Sequence, residues 1–276
     1  AKLTRLLYER FDAGLAGFII LSCELIDNNG KELLTTAITP NIWRAPTDND
    51  RNIKRDWYKV AYDYMMLKCY SCELVSADDK EASVKASLNM GSPSMHPVIR
   101  MEVEYIFRKG EGVEFSFDVK VTDGIPMLPR FGVEFRMPSD CEYVKYFGKG
   151  PYESYVDKCK ASRLSTFETT ATDNFEHYVR PQENSSHYKT RRATVGKKGG
   201  YGIYVEGLGD TKDFSFNASH YSAEQLTEVK HDFELKEENV TYFNIDGRFN
   251  PISEHDNLVF KEKHIEFGLS LKIVEM

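Results

Sequence analysis

Residues 101 to 121 read Met101-Glu-Val-Glu-Tyr-Ile-Phe-Arg-Lys-Gly-Glu-Gly-Val-Glu-Phe-Ser-Phe-Asp-Val-Lys-Val121. Apolar and polar residues alternate over 101–107 and again over 113–121, and a turn-forming stretch from Arg108 to Gly112 lies between the two runs. Alternation with a period of two is typical of strands that bury one face and expose the other to water. The stretch therefore predicts an antiparallel hairpin.

The same alternation recurs along most of the chain, in residues 131–137, 201–205, 214–218 and 265–273. Turn signals at Asn28-Asn29-Gly30 and at the glycine-rich residues 196–200 indicate two further hairpins. Strands this numerous, with almost no helix, predict an all-β fold, a large antiparallel sandwich. The chain shows no internal repeat and no linker, so we predict that residues 1–276 form a single domain.

Two segments have a helical pattern instead. Between Asp50 and about Leu67, apolar residues recur at helical spacing, at positions 53, 57, 60 and 64. Ser222 followed by Gln225 is a capping-box pattern, which predicts a short helix from Ala223 to the region of His231. We therefore expect one or two short helices beside the sheets.

The composition argues against several classes of protein. The formal net charge is −7 and no cluster of Lys and Arg is present, so we expect no nucleic-acid partner. No run of about 18 apolar residues exists, so we expect no transmembrane helix. Cys69-Tyr-Ser-Cys72 has the spacing of a metal or redox pair, but no second cysteine pair or histidine pair completes it. We therefore predict no metal site.

The alternation is absent from Asn41-Ile-Trp-Arg-Ala-Pro-Thr-Asp-Asn-Asp50. The proline favours the end of a strand, and the four polar residues after it are good helix N-caps. The guanidinium of Arg44 and the carboxylates of Asp48 and Asp50 can form a charge-assisted network that fixes this loop. Two alternatives stay open, a simple capped helix start with a core tryptophan and a cation site at the acidic residues.

Three further stretches break the alternation, and irregular segments are where sites are commonly built. The first is Gly148–Lys158, a loop that carries the carboxylates of Glu153 and Asp157 together with two tyrosines. The alternative to a site is a loop at a sheet edge that the tyrosines hold in place.

The second stretch is Tyr178–Asn184, in which Glu183 and Asn184 follow a proline and a glutamine. Arg191 can form a bidentate pair with Glu183. We expect a buried polar network that fixes strand register, and direct contact with a ligand is the alternative.

The third stretch is Phe216–Leu226, where His220 precedes the helix cap. A histidine at this position is either a hydrogen-bonded structural residue, which we favour, or a general base.

These stretches resemble the signature motifs of the C-terminal domain, or small chain, of bacterial β-galactosidases of glycoside hydrolase family 2. Residues 43–50 match Trp-Arg-Ala-Pro-Thr-Asp-Asn-Asp, and Gly148–Lys158 is similar to Gly-x-Gly-Pro-x-Glu-x-Tyr-x-Asp-Arg, with Lys158 in place of the arginine. Residues 181–184 resemble Pro-Gln-Glu-Asn-Gly, with Ser185 in place of the glycine. The remaining matches are His220, Tyr221, Leu226, His231, Glu234, Leu235 and Asn244-Ile-Asp-Gly247.

The resemblance implies the twisted supersandwich fold of galactose-mutarotase-like domains and the hydrolysis of terminal β-D-galactosides with retention. A retaining glycosidase needs two carboxylic residues about 5 Å apart. In this family both come from a (β/α)₈ barrel that precedes the small chain, and the present sequence does not contain eight βα units. We therefore expect no catalytic residue on this chain and no hydrolysis by the chain alone.

The resemblance also implies that the chain walls the substrate pocket. Family members place a tryptophan on the loop after the Asp-Gly pair, whereas the corresponding loop here, residues 248–257, has none. Phe249 or His255 is the candidate to cover the apolar face of the sugar instead, and Asn257 and His220 are further pocket candidates.

Partners and cofactors follow from the same resemblance. We expect the chain to contact the preceding domains of its own polypeptide, including the barrel, as well as the galactoside substrate. The full-length enzyme is expected to be a homo-oligomer that binds Mg²⁺ and Na⁺, with no cofactor on this chain. The compartment is either bacterial cytoplasm or periplasm.

Two alternatives have different sequence demands. A stand-alone aldose 1-epimerase of the same fold requires a histidine base facing a carboxylic acid, such as His220 with Glu153 or Glu183. A carbohydrate-binding module requires exposed aromatic residues that grip a sugar.

Overall fold

A computed structural model describes residues 38–93, 95–252 and 259–276. The hairpin predicted at Asn28-Asn29-Gly30 lies outside these residues. The strands are β1 Ile38–Asn41, β2 Met66–Ala77, β3 Glu81–Gly91, β4 Ile99–Arg108, β5 Gly112–Val121, β6 Arg130–Pro138, β7 Tyr143–Gly150, β8 Arg163–Thr170, β9 His187–Thr190, β10 Arg192–Gly196, β11 Tyr201–Gly207, β12 Phe214–Ser219, β13 Val240–Phe249 and β14 His264–Glu275. The helices are α1 Lys54–Lys59 and α2 Ala223–Glu228, with 3₁₀ turns at Asp48–Arg51 and Asp232–Glu234.

The described strands form two sheets in which neighbours are antiparallel. One sheet has the order β1-β6-β13-β12-β9, and the other has the order β2-β3-β4-β5-β14-β11-β10-β7-β8. The hairpin predicted for residues 101–121 is present, with β4 paired to β5 from Ile99↔Val121 to Arg108↔Gly112. The prediction of an all-β antiparallel sandwich is therefore confirmed.

The main apolar core joins the two sheets through phenylalanine rings. Phe131 on β6 belongs to the five-stranded sheet, whereas Phe117 on β5 and Phe267 on β14 belong to the nine-stranded sheet. The ring centroid of Phe131 lies 6.2 Å from that of Phe117 and 6.2 Å from that of Phe267, in edge-to-face geometry. Aromatic pairs favour this geometry, so the three rings fix how the sheets pack.

The first predicted helix is shorter than its periodicity indicated. α1 ends at Lys59, although apolar spacing predicted a helix to about Leu67. The backbone becomes left-handed at Ala61, with φ of 53°, and this conformation ends a regular helix. Tyr62 is buried there, and its hydroxyl donates to the carbonyl of Pro126 at 2.7 Å. The helix therefore ends before Tyr64, the last position of the apolar spacing, and Tyr64 is 66% exposed.

The second predicted helix starts where the sequence indicated. Ser222 is the N-cap of α2, and its Oγ accepts from the backbone N–H of Gln225 at 3.2 Å. The reciprocal bond of a capping box comes from Glu238, which accepts from the backbone N–H of Ser222 at 3.1 Å. The helix ends at Glu228, because the chain turns and a separate 3₁₀ turn begins after His231.

We expect Phe267→Ala to lower the free energy of unfolding by about 3–5 kcal/mol, because it removes a buried ring that contacts both sheets. Urea denaturation measures this change. Leu74→Ala is the control, since Leu74 is 65% exposed and its loss should change stability by less than about 0.5 kcal/mol. Equal effects of the two substitutions would contradict this assignment of the core.

Candidate functional site

The outer face of the five-stranded sheet is polar, although it is buried. Phe216 and Phe243 lie in the core between the sheets, whereas the next residues, Asn217 and Asn244, lie on the opposite face and pair in register. The two asparagines are 8% exposed, and Asn244 Oδ1 accepts from Asn41 Nδ2 at 3.0 Å. Buried polar groups need hydrogen-bond partners, and the segments that break the strand alternation supply them.

The centre of this polar face is the guanidinium of Arg130 on β6. Its Nε donates to Oδ1 of Asp246 on β13 at 2.7 Å, and its Nη1 lies 3.6 Å from Oε2 of Glu183. The three side chains are 3% exposed or less. Asn217 Nδ2 donates to Oε1 of Glu183 at 3.2 Å. These bonds attach residues 178–184 to the sheet.

Burial controls the protonation of the carboxylic acids in this cluster. It raises the pKa of Glu183 to about 7, against the attraction of Arg130 and Arg44. Burial also raises the pKa of Asp246, and Arg130 again opposes the shift. The cluster therefore holds one guanidinium between two carboxyl groups that ionise reluctantly.

A second buried guanidinium belongs to Arg44, in the loop that follows β1. Its Nη2 donates to Oδ1 of Asp50 at 3.0 Å and to the carbonyl oxygen of Pro251 at 3.3 Å. Asp50 Oδ2 accepts from the backbone N–H of Thr47 at 2.7 Å. The predicted pairing of Arg44 with Asp50 is thus present, and it links residues 44–50 to residue 251.

Phe249 packs against both guanidinium groups. Its ring centroid lies 5.7 Å from the Cζ of Arg44 and 5.0 Å from the Cζ of Arg130, within the range of cation–π contacts. The ring of Tyr155 lies 5.5 Å from that of Phe249 on another side. Phe249 is half-buried.

Residues of two separate motifs, 43–50 and 148–158, bind the backbone of Ile252, which lies in the loop after β13. The carbonyl oxygen of Ile252 accepts from Asn49 Nδ2 at 2.9 Å and from Thr47 Oγ1 at 3.3 Å. The backbone N–H of Ile252 donates to Asp157 Oδ1 at 3.3 Å. Hydrogen bonds to both backbone groups of one residue fix its position, so the two motifs act as a clamp on the loop stem.

Asn250 ties the two stems of the same loop together. It accepts from the backbone N–H of Phe260 at 2.9 Å and donates to the carbonyl of Leu128. Residues 253–258 separate these stems, and the predicted pocket residues His255 and Asn257 lie outside the described part of the chain.

Glu153 is the anchor of the loop after β7. Its carboxylate accepts from Lys158, from the hydroxyl of Tyr178 and, at 2.8 Å, from the backbone N–H of Ser185. Glu153 is 7% exposed. The carboxylate therefore joins residues 148–158 to the segment that carries Glu183. Asn184 in that segment is also buried, and its side-chain amide donates to the carbonyl of Gln182 at 2.9 Å.

The predicted pairing of Arg191 with Glu183 is wrong. Arg191 is exposed, and its guanidinium lies over the ring of Phe147 at 5.8 Å. Arg130 takes its place, because β6 lies inside the sheet and its outer face is covered by the 178–184 segment.

Asp48 lies outside the Arg44–Asp50 network. Its carboxylate is 75% exposed and 3.9 Å from Arg180. Only its backbone N–H is fixed, by Oε1 of Gln182 at 3.2 Å. The reason is helical geometry, since Asp48 and Asp50 occupy different faces of the 3₁₀ turn.

His220 is a hydrogen-bonded residue of the loop before α2. Its Nε2 contacts the carboxylate of Glu142, and its Nδ1 lies 3.1 Å from the carbonyl oxygen of Val240. Glu153 and Glu183 bond to other groups, as described above. The histidine–carboxylate pairs that an epimerase would need are therefore replaced by a pair with Glu142.

Sequence reasoning missed Arg130 and Asp246 as members of the site. Arg130 lies within the mostly apolar residues 127–133, and Asp246 directly follows the mostly apolar residues 242–245. A charge within a buried strand is rarely found without a partner, and this signal could have identified both.

No group of three or more His, Cys, Asp or Glu side chains in residues 38–93, 95–252 and 259–276 has the geometry to hold a metal ion. Within the same residues, no helix is long and apolar enough to cross a membrane. Cys69 and Cys72 lie on β2 as free thiols.

The fold and site define an all-β sandwich whose outer sheet face carries a buried ionic network. The family model described as "Beta galactosidase small chain" matches residues 22–269. The chain therefore belongs to the beta-galactosidase small chain family.

Relatives named beta-galactosidase are much longer than this chain. It is 35% identical over 260 residues to the beta-galactosidase of Staphylococcus xylosus, a match that covers 92% of this chain and 26% of the relative. It is 36% identical over 233 residues to the beta-galactosidase of Actinobacillus pleuropneumoniae, covering 83% of this chain and 22% of the relative. The chain thus spans about a quarter of the length of the curated relatives it matches.

Solved structures with a similar arrangement of strands include galactose 1-epimerase from Lactobacillus acidophilus NCFM. This match has a TM-score of 0.44 at 10% sequence identity, and it covers 76% of this chain and 66% of that chain. A putative aldose 1-epimerase from Escherichia coli K12 matches with a TM-score of 0.36 at 11% identity, covering 75% of this chain and 69% of that chain. At 10–11% sequence identity, these matches say nothing about function.

We expect Glu183→Gln to change how stability depends on pH. The carboxyl of Glu183 has its pKa raised to about 7 in the folded protein, whereas an exposed glutamate titrates near 4.3 in an unfolded chain. Between these values the folded state binds a proton that the unfolded state does not. The contribution of Glu183 is therefore fully present below about pH 4.3 and is lost as the pH rises toward about 7, by up to about 1.4 kcal/mol per pH unit.

Urea denaturation from pH 5 to 8 measures this slope. The native protein should lose stability relative to the Glu183→Gln variant as the pH rises. Parallel curves for the two proteins would contradict the assignment.

Proposed function

We propose that this chain is the C-terminal part of a β-galactosidase of glycoside hydrolase family 2, which hydrolyses terminal β-D-galactosides with retention of configuration. Membership of the small chain family supports this proposal, as do relatives named beta-galactosidase that are about four times as long. The chain forms one domain that walls one side of the substrate pocket, and the catalytic barrel precedes it in the polypeptide.

The observation that carries the proposal is the state of the buried carboxylates. A retaining glycosidase needs one carboxylate as nucleophile and one carboxylic acid as proton donor, on either side of the scissile bond. Asp50 and Asp246 form ion pairs with buried guanidinium groups, Glu153 pairs with the exposed Lys158, and Glu183 faces Arg130. These four carboxylates hold loops in place, and the proposal therefore assigns the bond-breaking pair to another part of the polypeptide.

The part of the chain that faces the sugar is the loop after β13. Its stem is fixed by Arg44, Thr47, Asn49 and Asp157, and Phe249 stands at its start. Phe249 covers the apolar face of the sugar, and His255 and Asn257 extend the same loop. A rigid stem is what a pocket wall requires, because a substrate must be held within a fraction of an ångström of the reacting groups.

Assembly and cations belong to the whole enzyme in this proposal. The longer polypeptide forms a homo-oligomer, and its Mg²⁺ and Na⁺ are held by residues outside this chain.

Hydrolysis of a nitrophenyl β-D-galactoside tests the proposal. The longer polypeptide encoded by the native gene should hydrolyse it, and this chain alone should not. Hydrolysis of the galactoside by the chain alone would contradict the proposal, and so would a native gene with no glycosidase barrel before this segment.

We expect Phe249→Ala in the longer enzyme to raise KM about fivefold with little change in kcat, since one stacking aromatic contributes about 1 kcal/mol to binding. Phe249→Tyr keeps the ring and should leave KM near its native value. Tyr201→Ala removes an aromatic residue that is 65% exposed on β11 and serves as a further control. An unchanged KM in Phe249→Ala would remove this residue from the pocket.

A further inference from the structure

Two strongly exposed apolar side chains lie on segments that are hydrogen-bonded to each other. Val179 is 85% exposed and Phe233 is 84% exposed, the two highest values among the large hydrophobic residues of the described chain. Their segments are in direct contact, because the backbone N–H of Asp232 donates to the carbonyl oxygen of Val179 at 3.3 Å. Single exposed apolar residues are ordinary, but two of them on contacting segments make this surface a candidate for interaction.

Hydrogen bonds fix the backbone of the turn that carries Phe233. The carboxylate of Glu234 accepts from the backbone N–H groups of Lys230 and His231 at 2.9 and 2.8 Å, which fixes the 3₁₀ turn that carries Phe233. The ring of His231 stacks on the ring of Phe233, with centroids 5.3 Å apart. Asp232 is also paired with His177 at 2.9 Å. Exposure at a fixed turn costs little entropy on binding, as an interface anchor requires.

The segments beneath these residues pack on a second small core. Phe175, Leu226 and Ala45 are buried together, apart from the main core between the sheets. The ring of Phe175 lies 4.5 Å from that of Tyr221. Val179 and Phe233 are therefore presented by packed structure and not by loose loop tips.

The same surface continues into the clamp on the loop stem. Arg180, the neighbour of Val179, lies 3.9 Å from Asp48, and Gln182 accepts from the backbone N–H of Asp48 at 3.2 Å. Asn49, the next residue, holds Ile252. An exposed arginine beside an apolar pair is a composition that interfaces favour.

We propose that Val179 and Phe233 are the apolar anchors of an interface with the catalytic part of the longer β-galactosidase polypeptide. This inference rests on the proposed function, because the catalytic carboxylates must come within bonding distance of a sugar that contacts Phe249 and the loop stem. A body that carries those carboxylates has to lie against this face, and Val179 and Phe233 are the apolar surface that it would bury. A second copy of this chain would bring no catalytic pair.

Hydroxyl-radical footprinting of the active, unmodified longer enzyme tests the interface. Leu74 and Tyr201 are the controls, since each is 65% exposed and lies on the nine-stranded sheet, on β2 and β11. Relative to the rate of each residue in the unfolded protein, oxidation of Val179 and Phe233 should be several-fold slower than oxidation of the two controls. Equal rates would overturn the interface, and so would protection that disappears on dilution to single copies of the polypeptide.

A double substitution provides a second readout. Val179→Asp with Phe233→Asp should lower kcat/KM about tenfold or more, the effect expected when the anchors of an interface are lost. Leu74→Asp with Tyr201→Asp should leave kcat/KM within about twofold, a difference well under 1 kcal/mol. Unchanged activity in the first double variant would overturn the inference.

The two proposals fail in different ways. If no longer polypeptide hydrolyses galactosides, the proposed function is wrong. If one does, and Phe233 in it is oxidised as fast as Leu74, only the interface is wrong.

Discussion

The ion pair between Arg130 and Asp246, with Glu183 facing the same guanidinium, is the interaction on which the rest of the polar face depends. All three groups are removed from water, and removal of charges from water costs several kcal/mol per ion. Such a cluster adds little net stability over apolar residues of the same size, but loss of one partner typically costs about 3–5 kcal/mol. Its role is therefore geometric, because the contacts of Glu183 with Arg130 and Asn217 attach the covering segment to the sheet.

This geometry extends outward through one aromatic ring. Phe249 contacts Arg130 on one side and Arg44 on another, so the two buried guanidinium groups are coupled through it. Arg44 reaches Pro251, and the motif around Asp50 reaches Ile252. The polar sheet face, the loop after β1 and the loop after β13 thus form one continuous structure. The residues that gave the chain its family resemblance are largely the residues that build this structure, which explains why they occur far apart in sequence.

Much of the fold could be predicted from the sequence, because strand alternation is a local signal. The hairpin of residues 99–121 follows directly from it. The helix predicted up to Leu67 ends early because the backbone becomes left-handed at Ala61 and Tyr62 is buried against Pro126, and the apolar spacing contains neither feature. The site was harder to predict for a related reason. The glutamate network was expected, but its cation is Arg130 and not the nearby Arg191, and Asp246 lies 116 residues from Arg130 in the chain. Pairings of this kind are set by the order of strands in a sheet, which no local pattern contains.

We propose that this chain shapes a galactoside pocket and that the reacting carboxylates belong to another part of the polypeptide. A retaining enzyme forms a covalent glycosyl intermediate on its nucleophile, and a 2-deoxy-2-fluoro-galactoside with a good leaving group traps that intermediate. Peptide mass spectrometry of the trapped longer enzyme identifies the labelled residue. We expect a labelled carboxylate that precedes the sequence of this chain in the longer polypeptide. A label on any of residues 1–276 would contradict it.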